Sequence, residues 1–220
     1  MNFDVILAFL KKLARNNDRE WFDKNKPKYL EAKEIFDGFV STLLEEMILF
    51  DESLAGQDPK KLTFRIYRDV RFSKDKSPYK KNMSVAFSSV GKGMGKPGYY
   101  FQLEPGNKSF VGIGLFQPVP EYLAKIRQEI DYSSDRLTSI FKERKFKSNF
   151  TKFWDEDALK KAPKGYPKDH PHADWLRLKS FIVTHEFKDS EVTDKKFLKK
   201  LTDVMRSGKP LNDFLGEAIN

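Results

Sequence analysis

Apolar residues recur along this chain with two periods, and the switches between them outline a fold. Ile6, Phe9, Leu10 and Leu13 fall at i, i+3, i+4 and i+7 with lysines between them, the stripe of an amphipathic helix. "NNDRE" breaks that pattern, and Asp18 is placed to cap a turn carrying Trp21 and Phe22. Pro27 suits the first turn of a second, longer helix, where its missing N–H costs nothing. Tyr29, Ala32, Phe36, Phe39, Leu43 and Met47 mark that helix's buried side, and "DESLAGQDPKK" is a polar connection.

The period then drops to two. Leu62, Phe64 and Ile66 alternate with Thr63, Arg65 and Tyr67, as in a strand whose two faces differ. "MSVAFSS", "YYFQLE" and "SFVGIGLF" read the same way, and "EPGN" between the last two is a hairpin turn. Gly112 and Gly114 share one face of the last of these strands, where something packs closely. After Pro118 the helical period returns with Leu123, Ile126 and Ile130, and "SSDR" begins another helix carrying Leu137, Ile140 and Phe141. "WDEDALKK", with acids ahead of lysines, reads as a solvated helix start. A short helix around Trp175, a strand over 180–187 and a helix over 194–206 with Gly208 as its stop complete the chain. The expected class is α+β: one domain over 1–220, with a central antiparallel sheet of four to five strands flanked by N- and C-terminal helices. Its parts are N-terminal helices over 3–50, a strand-rich centre over 61–117, and a helical part with one strand over 118–220.

Composition narrows the class. With 39% apolar residues and 20 phenylalanines in 220, the chain can bury a large core. It has no cysteine, so disulfides and thiolate metal sites are excluded, and a reducing cytoplasm is the expected location. The N-terminus lacks the basic start and small-residue cleavage site of a secretory signal, and no apolar run approaches a membrane span. Charge changes the picture more. Residues 1–59 hold 8 basic and 12 acidic side chains, residues 60–100 hold 11 and 2, and residues 101–220 hold 22 and 18. The middle window thus equals the net excess of +9 for the whole chain. The basicity is local.

Two motifs dissolve on inspection. "GMGKPG" over 93–98 has the spacing of a dinucleotide-binding loop, but Pro97 and a strand follow where a helix should, so a hairpin loop is expected. "DHPHAD" offers His170, His172, Asp169 and Asp174, yet it reads better as a helix start with Asp169 as cap and Pro171 in first position, so no metal site is expected. His185, on a strand, reads as a hydrogen-bonded structural residue.

What remains is "FRIYRDVRFSKDKSPYKKN", residues 64–82, with seven basic and two acidic side chains. Two cations ~6 Å apart repel by roughly 1–3 kcal/mol at an effective dielectric of about 20–40, and by tenths when fully solvated. Convergence in a cleft therefore calls for carboxylates or a bound anion, whereas a splayed surface loop with Asp69 and Asp75 in local ion pairs does not. Arginine at 65, 68 and 71 favours convergence, because its planar fork grips carboxylate or phosphate with two bonds. The candidate ligand-binding residues are Arg65, Tyr67, Arg68, Arg71, Lys76, Tyr79, Lys80 and Tyr100, with Ser73 and Ser77 adding hydroxyls from the turn. If a reaction occurs, Asp69 or Glu104 are candidates for the base and Tyr79 or Lys76 for the acid.

The same segment resembles the hallmark of a largely bacterial family known as domain of unknown function 2461. "NNDREWFDKNKPKY", "GYYFQLEPGNKSFVGIGLFQP" and "PKGYPKDHP" resemble the family's other blocks in the same order, across nearly the full length. The resemblance implies a soluble single-domain protein and supplies no reaction. Relatives often close the basic block with Thr-His where this chain has Lys81 and Asn82, which argues against a histidine mechanism there. Three functions follow from the basic segment: binding of a small phosphate- or carboxylate-bearing ligand, binding of nucleic acid through phosphates and the interleaved aromatics, or docking of an acidic protein partner. No cofactor and no membrane contact are expected, and the oligomeric state is left open.

Overall fold

A computed structural model describes residues 2–92 and 95–220. Helices α1 (Phe3–Arg15), α2 (Arg19–Lys24) and α3 (Lys26–Ile48) open the chain. Their caps follow the sequence: the Asp18 carboxylate accepts from the Trp21 N–H at 2.8 Å, and Pro27 sits in the first turn of α3. Short helix α4 (Pro59–Leu62) precedes the basic segment. Strands β1 (Met83–Ser88), β2 (Gly98–Leu103) and β3 (Ser109–Leu115) then form a meander. Helices α5 (Pro120–Lys142), α6 (Arg144–Asn149) and α7 (Ala173–Leu176) lead to β4 (Phe181–Phe187), and α8 (Asp189–Val192) and α9 (Phe197–Ile219) end the fold. The sheet is antiparallel in the order β1-β2-β3-β4. No helix among the described residues is long and apolar enough to cross a membrane.

Strand alternation gives the sheet two unlike faces. Val85, Phe87, Tyr99, Phe101, Val111 and Ile113 are buried on the face toward α3 and α9. There Phe101 packs on Phe39 of α3 and Phe197 of α9, with ring centroids 5.8 Å apart in both pairs. The opposite face carries Ser84, Ala86, Tyr100, Gln102, Phe110, Gly112 and Ile182, and no helix covers Ala86, Tyr100 or Phe110 as deeply as the core face is covered.

Several elements differ from the sequence reading. Leu62 to Tyr67 is no strand: Leu62 ends α4, and the backbone beyond it meets the sheet at a Thr63–Val85 bridge and through the Phe64 N–H, which donates to the Ser84 carbonyl at 2.9 Å. The Asp58 cap and Pro59 start a helical turn that consumes Leu62, and the backbone at Ile66 and Arg68 bonds to Lys80 and Pro78 of the same segment instead of to the sheet. "WDEDALKK" forms no helix, because the Trp154 and Leu159 N–H groups donate to the distant carbonyls of Ile182 and Arg177. The turn before α7 begins later than expected, with His172 rather than Asp169 at the cap. Gly208 does not stop α9, which runs through Gly208 and Pro210 to Ile219. A Cβ at Gly208 would lie 2.5 Å from Ile113 Cδ1, so this glycine lets helix and sheet close together. Burial of Leu211, Phe214, Leu215 and Ile219 beyond it outweighs the ~3 kcal/mol that proline costs a helix. The break expected at "SSDR" is real: Ser133 leaves helical geometry (φ −132°, ψ 41°) within α5. Gly93 and Met94 of "GMGKPG" lie outside the described residues, and a strand follows at Gly98.

Candidate functional site

The basic segment folds back on itself as an irregular hairpin beside β1. Tyr67 bridges Tyr79, the Arg68 N–H donates to the Pro78 carbonyl at 2.9 Å, and the Lys80 N–H donates to the Ile66 carbonyl at 2.7 Å. Tyr79 anchors this hairpin in the core. It is 4% exposed and stacks on Phe22 at 4.0 Å, and Asn17 bonds both its N–H and its carbonyl. Burial pushes its phenol pKa up. Tyr67 packs beside it, half exposed, at 5.4 Å.

The three arginine forks have different fates. Arg68 donates to the Asp75 carboxylate at 2.5 Å, to the Ser77 hydroxyl at 2.6 Å and to the Ser73 hydroxyl at 3.2 Å, closing the turn from inside. Arg71 grips Asp69 with Nε and a terminal nitrogen, the latter at 2.6 Å, and points to solvent. Both carboxylates are held below the usual range: Asp75 by the Ser77 hydroxyl and N–H and then Arg68, and Asp69 by Arg71. Lys76 donates to the Val70 carbonyl at 3.0 Å and is likewise used inside the loop. Arg65 has no carboxylate partner among the described residues, and its charge acts on Lys80 and Asp69.

Lys80 is the centre of the unpaired charge. Its ammonium lies 5.3 Å from the centroid of the Phe64 ring, and that of Lys92, from the β1–β2 connection, lies 5.7 Å from the same centroid. Lys92 also donates to the Thr63 carbonyl at 3.0 Å. Burial first, then Arg65 and Lys92, lowers the Lys80 pKa. No carboxylate pairs with Lys80 among the described residues. A cavity of about 400 Å³ opens here, lined by Phe64, Arg68, Asp69, Lys80, Asn82, Ser84 and Tyr100. The Tyr100 hydroxyl donates to Gln102 Oε1 at 2.9 Å, and Gln102 Nε2 donates to Glu104 at 2.8 Å. Burial raises the Tyr100 pKa, which keeps it a phenol.

Of the residues singled out from sequence, the cavity gathers Arg68, Asp69, Lys80 and Tyr100, with Glu104 joined through Gln102. Arg65, Tyr67, Arg71, Lys76 and Tyr79 do not line it. Phe64, Asn82, Ser84, Gln102 and Lys92 join the site without having been anticipated. Strand alternation already puts Ser84 and Gln102 on the Tyr100 face, and they pair across β1 and β2; nothing local signals Lys92. Elsewhere, His170 reaches Asp131 at 3.1 Å, His172 stacks on Trp175 at 4.4 Å, and His185 Nδ1 lies 3.1 Å from the Asn149 carbonyl.

The molecule is thus an α+β protein with helices on one sheet face and, at the rim of the other, an aromatic-edged cavity lined by Arg68, Asp69 and Lys80. The chain belongs to the DUF2461 family of conserved hypothetical proteins, whose model matches residues 5–214. No curated protein and no solved structure matches it.

Proposed function

We propose that this protein binds a small phosphate- or carboxylate-bearing molecule in the cavity beside Lys80, as a cytoplasmic binding protein or the binding half of an enzyme. The observation that carries this reading is the pair Lys80 and Lys92 over Phe64, with Arg65 near enough for its charge to act on Lys80 and no carboxylate paired with any of the three among the described residues. Arg68 and Arg71 already have carboxylates, so their charge explains itself within the loop. Lys80 does not: it is half buried among like charges, an arrangement that a bound anion relieves. Ser84, Asn82 and the Tyr100 phenol add neutral hydrogen-bonding groups at the cavity wall. Each bond to a charged partner contributes ~1.5–3 kcal/mol.

The test is thermal unfolding in inorganic phosphate against chloride at matched ionic strength. Ligand in excess of its Kd raises stability by RT ln(1 + [L]/Kd), about 2.7 kcal/mol at a hundredfold excess. Phosphate should stabilise wild type and Arg71→Ala alike, while Lys80→Ala should lose the effect. No stabilisation of the wild type, or full stabilisation of Lys80→Ala, would contradict the reading.

Nucleic acid is the second reading, favoured by Phe72. That ring is 97% exposed near the turn of the hairpin with Arg71 5.9 Å from its centroid, which suits stacking on an unpaired base. Its mark would be affinity for single strands that falls steeply with salt and with Phe72→Ala.

A further inference from the structure

Beside the charged cavity the uncovered sheet face sinks into a second one, a trough of about 420 Å³. Phe64 and Tyr100 line both, so the two cavities share a wall. The trough's walls are aromatic or aliphatic (Phe64, Tyr100, Phe110, Phe116, Ile182), and its floor is nearly bare backbone at Ala86, Gly98, Gly112 and Gly114. Lys92 stands at its edge.

The floor glycines are not equivalent. A Cβ on Gly98 would lie 2.2 Å from the Phe87 carbonyl oxygen, and one on Gly114, whose φ is +130°, would lie 1.9 Å from that of Phe181. The packing of the sheet demands both. Gly112 is different: its φ is ordinary for a strand, and a Cβ there would meet only the Phe110 ring at 3.8 Å and Tyr100 Cβ at 4.0 Å, normal contact distances. Glycine in mid-strand sacrifices stability, and at this position the fold gets nothing in return. What it preserves is the depth of the trough between Tyr100 and Thr184, its cross-strand neighbours.

Resting on the reading of the Lys80 cavity as an anion site, we propose that the trough holds the body of the same ligand, and that the ligand is an aromatic anion: a flat ring system bearing a carboxylate, sulfonate or phosphate. The flat peptide floor and ring walls suit a planar body, and the volume lies in the range of small-molecule sites. Charge complementarity fixes the orientation. The rings lie over Gly112, and the anionic group lies at the Phe64 end of the trough, toward Lys92 and, past the Phe64 ring, Lys80.

The full chain can be tested with 8-anilinonaphthalene-1-sulfonate, an aromatic anion whose fluorescence rises in apolar sites, beside its neutral relative N-phenyl-1-naphthylamine. The sulfonate should bind saturably at one site and at least about tenfold more tightly than the neutral probe. Gly112→Val, which fills the floor, should weaken it at least about tenfold, and Gly112→Ala by less. Both variants should keep their stabilisation by inorganic phosphate, because the head site is untouched. Cooperative melting and a retained near-UV circular dichroism signal confirm that the probe reports a native site and not a loosened core. If Gly112→Val fails this check, Gly112→Ala alone decides. Unchanged sulfonate affinity in a folded Gly112 variant, or equal affinity for the neutral probe, would overturn the inference, whatever phosphate does. Loss of phosphate stabilisation in wild type with a Gly112-sensitive sulfonate site would instead overturn the anion-site reading and leave the trough an apolar one.

Discussion

Reversing the charge at Lys80 should strengthen the empty fold while destroying the site. Lys80 and Lys92 both lie over Phe64, at 5.3 and 5.7 Å from its centroid, which places their ammonium groups no more than about 11 Å apart. At ~9 Å and an effective dielectric of about 40–80, each like-charge pair costs roughly 0.5–0.9 kcal/mol. Arg65 adds a second such term. Lys80→Glu turns both repulsions into attractions, a swing of twice their sum. Against this stand the lost cation–π contact with Phe64, about 0.5–1 kcal/mol, and screening, because Lys80 is only partly buried. A net gain of roughly 0.5–1.5 kcal/mol remains, a rise of about 1–6 °C in Tm for a chain of this size. Thermal melts at low salt and again in concentrated sodium chloride measure it, and the advantage should shrink as salt rises. Wild type should also recover part of its deficit near pH 10. A lysine whose folded pKa is lowered carries its penalty in full below that value, and the penalty fades as pH climbs toward the unfolded value of about 10.4. A Lys80→Glu protein that melts lower than wild type at low salt, or whose difference ignores salt, would refute this account of the charge cluster.

Tyr99→Phe should cost ~1.5–3 kcal/mol, seen as a Tm about 3–12 °C lower, because the Tyr99 hydroxyl donates at 2.9 Å to a buried oxygen of Asp51 that would be left without it. Asp189 ties the β2–β3 turn to α8 by accepting from the Gly106 and Asn107 N–H groups at 3.0 and 2.9 Å. Burial alone would raise its pKa, but these bonds and Lys11 outweigh burial and hold it low. Its contribution is therefore complete above the unfolded value of about 3.9 and lost as pH falls through the folded one. Asp189→Asn should thus be less stable at neutral pH in urea unfolding, and the gap should close in acid.

The helices of the N-terminal half could be read directly because their stripes are long and their caps conventional: Asp18, Pro27 and the run from Ala32 to Met47 behave as their residue types dictate. The "EPGN" turn was equally plain, since Gly106 and Asn107 both take positive φ. Errors arose where distant contacts overrule local preference. Phe64 alternates like a strand residue but leans over the sheet edge toward Tyr100, 6.1 Å away. Gly208 looks like a helix stop only until Ile113 is seen against it. At the candidate site, the charge excess of residues 64–82 marks the segment that folds into the hairpin beside β1. The sequence could not apportion its carboxylates: Asp75 takes Arg68 and Asp69 takes Arg71, which leaves Arg65, Lys74, Lys80 and Lys81 without a carboxylate partner among the described residues. Lys92 comes from another loop, and only the pairing of β1 with β2 places Tyr100, Ser84 and Gln102 beside them.

The most direct measurement is a phosphate titration followed by backbone amide chemical shifts across the whole chain. Saturating shifts should concentrate at Lys80, Asn82, Ser84 and Tyr100 and vanish in Lys80→Ala. Shifts gathered instead around the larger cavity between Phe50 and Lys209, or spread evenly over surface lysines, would contradict a built anion site on this sheet edge.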